Sequence, residues 1–255
     1  MTFSLTAETL FRIGPLTITN GVFGAFSVTA FITFFAILLR SGMTLVPTRA
    51  QVAIEQVILF CEGIFAQAFG SKEAARKFLP LLMTLFIFIV VANQFSLVPL
   101  VSQIVLGEKS LIRLPTSDLS QTVMLSLMVV IVSHVIAFRM APLKHLGSYI
   151  RIGAVLKIRS PKDVGTAILE LFLGMLDIVG ELAKVISLAC RLFGNIFAGE
   201  VMVAVIIGLS VYTSYIVPIP FMLLSLFSGF VQAFVFMLLA TQFIATTYKT
   251  YAVRS

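Results

Sequence analysis

Long uncharged stretches alternate with short polar ones along most of this chain. The first covers residues 18–39 and closes at Arg40, Ser41 and Gly42. A helix of that length reaches about 33 Å, enough for a hydrocarbon core of about 30 Å. Residues 49–70 read differently. Arg49, Gln51, Glu55, Gln56, Glu62 and Gln67 are interleaved with Val52, Ile54, Val57, Leu59, Phe60, Ile64 and Phe65. That mixture predicts an amphipathic helix lying along a membrane surface. The basic cluster Lys72, Arg76 and Lys77 follows, then the uncharged run 78–106. This run can cross a bilayer with tilt, and Pro99 predicts a break near its far end. Asp118 opens the next crossing, 118–138, where a helix dipole favours an acid.

The stretch 163–209 cannot be an ordinary span. As one helix it would measure about 70 Å, more than twice the hydrocarbon thickness. It contains no proline to break it, so a single long, steeply tilted helix is expected. The last helix, 220–247, then packs antiparallel to its C-terminal half through the turn 210–220. No linker, repeat or low-complexity tract divides the chain. The reading is a single membrane domain, 1–255: an all-α polytopic protein with about five transmembrane crossings plus the surface helix.

Composition narrows the function classes. Apolar residues make up 59% and charged residues 11%, against about 45–50% and 25% in soluble domains. An ordinary soluble enzyme and a nucleic-acid-binding domain are excluded. The net charge of +7 and pI near 9.7 reflect positive charge gathered on one side of a membrane. With five crossings and the N-terminus outside, inward segments hold 13 of the 18 Lys and Arg and outward segments 3. This bias places the C-terminus in the cytoplasm. Residues 1–17 lack the order of a cleaved signal peptide. Cys61 and Cys190 read as core residues, and His134 and His145 as too few and too far apart for a metal site. There is no nucleophile–base pair, metal cluster or Gly-rich phosphate loop, so neither catalysis nor a cofactor or metal is expected.

The chemistry lies in 163–209. Asp177, Glu181, Lys184, Arg191 and Asn195 are separated by 4, 3, 7 and 4 residues, which puts them on one helical stripe with Ser187. Glu200 lies a turn and a half beyond Asn195. Internal ion pairing accounts equally well for Glu181 and Lys184. It does not account for Arg191, which has no acid at i±3 or i±4. An arginine inside a bilayer costs about 2.5–3.5 kcal/mol on insertion scales. Its natural counter-charge is a carboxylate on another chain. Arginine stays protonated where lysine could lose its proton, so it can act as a permanent electrostatic barrier between two access paths.

The block 187–200, Ser-Leu-Ala-Cys-Arg-Leu-Phe-Gly-Asn-Ile-Phe-Ala-Gly-Glu, resembles the signature of subunit a of F-type ATP synthases. Val231-Gln232-Ala233-Phe234-Val235-Phe236 resembles that family's last-helix motif. Asn93-Gln94-Phe95-Ser96-Leu97-Val98-Pro99 and Pro115-Thr116-Ser117-Asp118 resemble two further motifs, and all four come in family order. The resemblance implies a non-catalytic, ion-translocating stator subunit; the lack of a long presequence fits a bacterial cell inner membrane and would also fit an organelle-encoded chain. Its partners would be a ring of c subunits, peripheral-stalk b subunits and other ATP synthase subunits. Two offset half-channels would carry protons, or sodium ions in some members, to and from a carboxylate on each c subunit. Arg191 corresponds to the essential stator arginine. Glu200 and Gln232 match the outer half-channel, joined by Asn93 and Asp118. Asp177, Glu181, Lys184, Ser187 and Asn195 fall in or near the inner path.

Two positions depart from the family pattern. Ser225 stands where many members carry an ionisable residue, and Ser96 where some carry an acid. Ser225 cannot relay a proton alone, so a water chain held by Glu200, Ser225 and Gln232 would have to serve. Asn93, Ser225 and Gln232 also suit interhelical hydrogen bonding, and Asp118 suits a helix cap. A self-contained secondary transporter and a non-transporting membrane scaffold are the rival readings. The first would be expected to show repeated halves; the second would tolerate loss of Arg191.

Overall fold

The computed structural model describes residues 9–13, 16–44, 47–95, 105–106, 109–110, 115–149, 161–209 and 217–252. The expected break at Pro99, the Ser96 position, Arg113, Arg151, Lys157, Arg159, Arg254 and turn residues 210–216 lie outside these. A hairpin of β1 (Thr9–Ile13) and β2 (Leu16–Thr19) leads into α1 (Asn20–Ser41). Then come α2 (Arg49–Phe69) and α3 (Lys72–Phe95). The small hairpin β3 (Val105–Leu106) and β4 (Lys109–Ser110) and a 3-10 turn (Pro115–Ser117) precede α4 (Leu119–Met140). The short α5 (Pro142–Tyr149), the 49-residue α6 (Pro161–Leu209) and α7 (Pro218–Ala252) follow. The two short hairpins apart, the described fold is helical. Among the described residues α1, α2, α3, α4, α6 and α7 are each long and apolar enough to cross a membrane.

Caps rather than hydropathy set the ends. Ile18 pairs with Phe11 in the hairpin, and α1 begins only after Thr19, whose side chain accepts from Val22 N. Thr48 and Asp118 cap α2 and α4 in the same way. The run expected at 78–106 is corrected at both ends. Its helix starts at Lys72, where Ser71 Oγ accepts from Ala74 N and Glu73 sits in the first turn. Its described residues run to Phe95, and Val105–Leu106 is a strand. An uncharged run records what lipid tolerates, whereas caps and turn geometry decide where the helix ends. Gly70 ends α2 at φ 76°, a left-handed conformation that glycine adopts without a Cβ penalty.

Interhelical contacts give the directions. Gly70 lies beside Lys249 near the end of α7. Asn93 and Gln94, ending α3, bond to α7 carbonyls at Gly229 and Leu226. Thus α3 and α7 run antiparallel. Gly21, beginning α1, lies against Asp118, beginning α4. Arg40, Arg139 and Lys249 stand in the last turns of α1, α4 and α7, where a cation complements the helix dipole. The core lies between α2, α3 and α7, where Phe65, Leu82, Ile89, Phe236, Met237 and Ile244 are fully buried. Phe69 and Phe78 stack at 5.0 Å, with Tyr248 edge-on to both. Outward, Phe26 is 73% and Phe227 65% exposed; lipid carries no penalty for such a surface.

Candidate functional site: a polar seam and a bare arginine

α6 buries Leu188, Ala189, Leu192 and Ile196. This phase leaves Ser187, Arg191, Gly194 and Ala198 on the exposed flank of the same helix. No Cβ neighbour lies within 4 Å of the position a side chain would take at Gly194, so the flank beside Arg191 is low and open. Arg191 has no ion-pair partner among the described residues. Lys184, seven residues earlier, is neutralised locally: its Nζ lies 2.6 Å from Glu181 Oε1 and 5.3 Å from the centre of the Phe243 ring. Two cations on one helix are thus treated differently by their own chain.

Asn195 is fastened to α7, where the Ser228 hydroxyl donates to its Oδ1 across 2.6 Å. Four residues on, Gly199 lets Ser225 approach closely; a Cβ there would sit 2.9 Å from Ser225 Oγ. Glu200, the next residue along α6, is half-buried. Asn93 is buried and donates from Nδ2 to Gly229 O at 2.8 Å, one turn before Gln232. Asn93 Oδ1, Gln94 Oε1, Gln232 Nε2 and Thr116 Oγ1 are buried without a hydrogen-bond partner. In a membrane interior such atoms are costly unless water reaches them. Thus Asn93, Gln232 and Ser225 border the same stretch of α7 that faces α3 and α6. Asp118 stands apart as a buried cap, accepting from Ser120 N at 3.0 Å and abutting Gly21.

At the opposite end, Asp177 and Glu181 lie on α6 near α4 and α5. A cleft of about 610 Å³ between α4 and α6 includes His134, Arg139 and Glu181 among otherwise apolar walls. The two histidines are neighbours in space, their ring centres 5.2 Å apart, which corrects their sequence-based separation. The tight turn between α4 and α5 brings them together; a residue count could not reveal it. Among the described residues no group of three His, Cys, Asp or Glu could hold a metal. Cys61 is buried but Cys190 is exposed, because it lies on the flank of α6 beside Arg191. Sequence reasoning also missed Ser228, since a half-buried hydroxyl carries no periodic signal.

This architecture defines a polytopic helical membrane protein with a polar interior seam and an arginine left bare on its flank. The chain belongs to the ATP synthase A chain family, whose sequence profile matches residues 22–245. Among its relatives, ATP synthase subunit a 2 of Bradyrhizobium sp. is 31% identical over 94% of this chain and 93% of the relative. ATP synthase subunit a of Moorella thermoacetica is 32% identical over 92% and 94%, and ATP synthase subunit a 1 of Hahella chejuensis 32% over 92% and 86%. The match takes in α1, upstream of the motifs that carry the resemblance. The chain is thus an integral membrane subunit of an ATP synthase, of the family that supplies its proton-channel stator.

Proposed function

We propose that this chain is the non-catalytic stator against which a ring of c subunits turns, and that Arg191 is the barrier between two half-channels. A permanent cation without a counter-charge among the described residues meets a deprotonated c-subunit carboxylate as the ring passes. The pair forms transiently and releases when the carboxylate takes up an ion. The same cation repels a free proton or sodium ion and prevents a direct leak. Exposed Ser187, Gly194 and Ala198 leave room for a neighbouring helix to approach the guanidinium.

The outer half-channel runs past Asn93, Gln232, Ser225 and Glu200, where the unpartnered buried atoms Asn93 Oδ1 and Gln232 Nε2 hold water. Ser225 orders that water, and Glu200 is the titrating group. Asp118 acts there through its cap. The inner half-channel follows Asp177, Glu181, Lys184, Ser187 and Asn195. The least apolar of the long helices, α2, lies along the inner surface, leaving five crossings. Charge counting puts the C-terminus in the cytoplasm of a bacterium, with peripheral-stalk b subunits on the exposed apolar faces.

The observation that carries this reading is an intramembrane arginine with no ion-pair partner among the described residues. Arg191→Ala in the assembled complex is expected to abolish ATP-driven ion pumping in membrane vesicles. Pumping at the parent rate would overturn it, and a scaffold role would then be the better account.

A further inference from the structure

Four helices bring proton-exchanging side chains to one point, of which the reading above uses only Glu181. His134 comes from α4, His145 and Tyr149 from α5, Glu181 from α6 and Tyr251 from α7. His145 is 4% exposed, and its Nδ1 lies 2.8 Å from the Tyr251 hydroxyl. The Tyr149 ring stands 5.9 Å from that of His134 and 5.2 Å from that of His145. Its hydroxyl hydrogen-bonds to Glu181. Glu181 in turn holds Lys184, the next member of the stripe that leads to Arg191. His134 and Glu181 both line the cleft between α4 and α6.

We propose that His134 and His145 form a proton-exchange station at the inner mouth of the ion path, passing protons between inner water and Glu181. The proposal rests on the stator reading and specifies protons as the ion handled at this mouth. Imidazole is the side chain whose charge ordinarily changes near neutral pH, and it can accept at one nitrogen while releasing from the other. A proton taken from hydronium by His134 and passed to the Glu181 carboxylate leaves water, a neutral imidazole and a carboxylic acid. Charge and protons balance, and no other reactant is needed. A sodium path would have no use for such a group.

The charged and titratable neighbours set the working range. Facing the pair are His134 and Arg139 from α4, Tyr149 from α5, Asp177, Glu181 and Lys184 from α6, and Tyr251 from α7. Burial pushes the His145 imidazole below its ordinary 6.5, the nearby His134 pushes it further, and Glu181 opposes both. Burial also raises the Tyr149 hydroxyl, with Glu181 adding to the shift, so Tyr149 remains a donor throughout. A proton on each ring at once is resisted, because two imidazoliums would stand side by side.

The test uses the assembled complex in inverted membrane vesicles, whose outer bath is the inner side. His134→Gln, His145→Gln and the double variant are compared with the parent for ATP-driven acidification across bath pH 5.5–8.5. The expected result is a loss on the order of 10-fold at pH 7.5, the scale of a modest acid–base contribution. The variants' profiles should flatten below pH 7, and imidazole added to the bath should restore part of the rate. A double variant with the parent's rate and profile would overturn the station. So would a slowed variant that keeps the parent's pH profile and gains nothing from imidazole, because that is the signature of a packing role. If His145→Gln does not assemble, His134→Gln on the half-buried cleft wall decides by the same two readouts. Arg191→Ala in parallel separates the hypotheses. Normal pumping there sinks the stator reading, whereas parent-like histidine variants beside an inactive Arg191→Ala sink only the station.

Discussion

The Ser228 hydroxyl donates to Asn195 Oδ1 across 2.6 Å, tying α7 to α6 one turn from Arg191. The bond holds the rotational phase of α6, with Leu192 and Ile196 inward and Arg191 outward. Interhelical hydrogen bonds in membranes are worth about 0.6 kcal/mol on average. Ser228→Ala should therefore lower the thermal stability of the complex slightly and leave ATP-driven pumping within about twofold of the parent. Complete loss of pumping in an assembled complex would show that Ser228 conducts rather than positions.

Arg191→Lys tests permanence of charge separately from its sign. Lysine keeps a cation in water but loses its proton readily in a desolvated site, and it lacks the planar fork that meets a carboxylate. ATP synthesis driven by an imposed ion gradient is expected to fall at least about 10-fold, as loss of a charge-assisted contact of about 1.5–3 kcal/mol would give. Synthesis at the parent rate would mean that any positive point charge suffices.

Glu200→Gln removes the titrating group of the proposed outer path while keeping its size. Ion uptake from the outer side should slow by on the order of 10-fold, measured as synthesis rate against outer pH, with Glu200→Asp retaining more. An unchanged rate would move the outer path away from Glu200 and leave it to the water near Asn93 and Gln232.

Asp118 separates capping from transport. Asn also caps well, whereas Ala costs about 1 kcal/mol of helix stability. Asp118→Asn should therefore leave pumping near the parent rate, while Asp118→Ala lowers the amount of complex recovered in the membrane. A pumping defect in Asp118→Asn at normal assembly would give the carboxylate a transport role. Gly21→Ala should mimic the Ala variant, because its Cβ would meet Asp118 Oδ2 at 2.8 Å.

Close approach of α6 and α7 is equally specific. Gly199→Ala places a methyl 2.9 Å from Ser225 Oγ and 3.4 Å from its Cβ, so Ser225 must turn or the helices must part. Overpacking of this kind costs about 1–3 kcal/mol. Reduced assembly is expected, with Ser225→Gly in the same chain restoring it; failure of that pairing would place the strain elsewhere.

The sequence by itself determined the apolar segments, the stripe from Asp177 to Asn195 and the absence of a local acid for Arg191. These are properties of a single helix: 3.6 residues per turn and a fixed rise translate spacing into faces and lengths without knowledge of any neighbour. Tertiary structure alone decided that Phe243 sits over Lys184, that Asn195 is held by Ser228, and that Gly21 meets Asp118. It also decided that His134 and His145 share one junction with Tyr149 and Tyr251. Registry between helices in lipid depends on small residues and polar contacts whose partners lie up to 136 positions apart, as Asn93 and Gly229 do. No periodicity along the chain encodes such a pairing, because lipid presents the same apolar surface to every face and only the fitted neighbour distinguishes one from another.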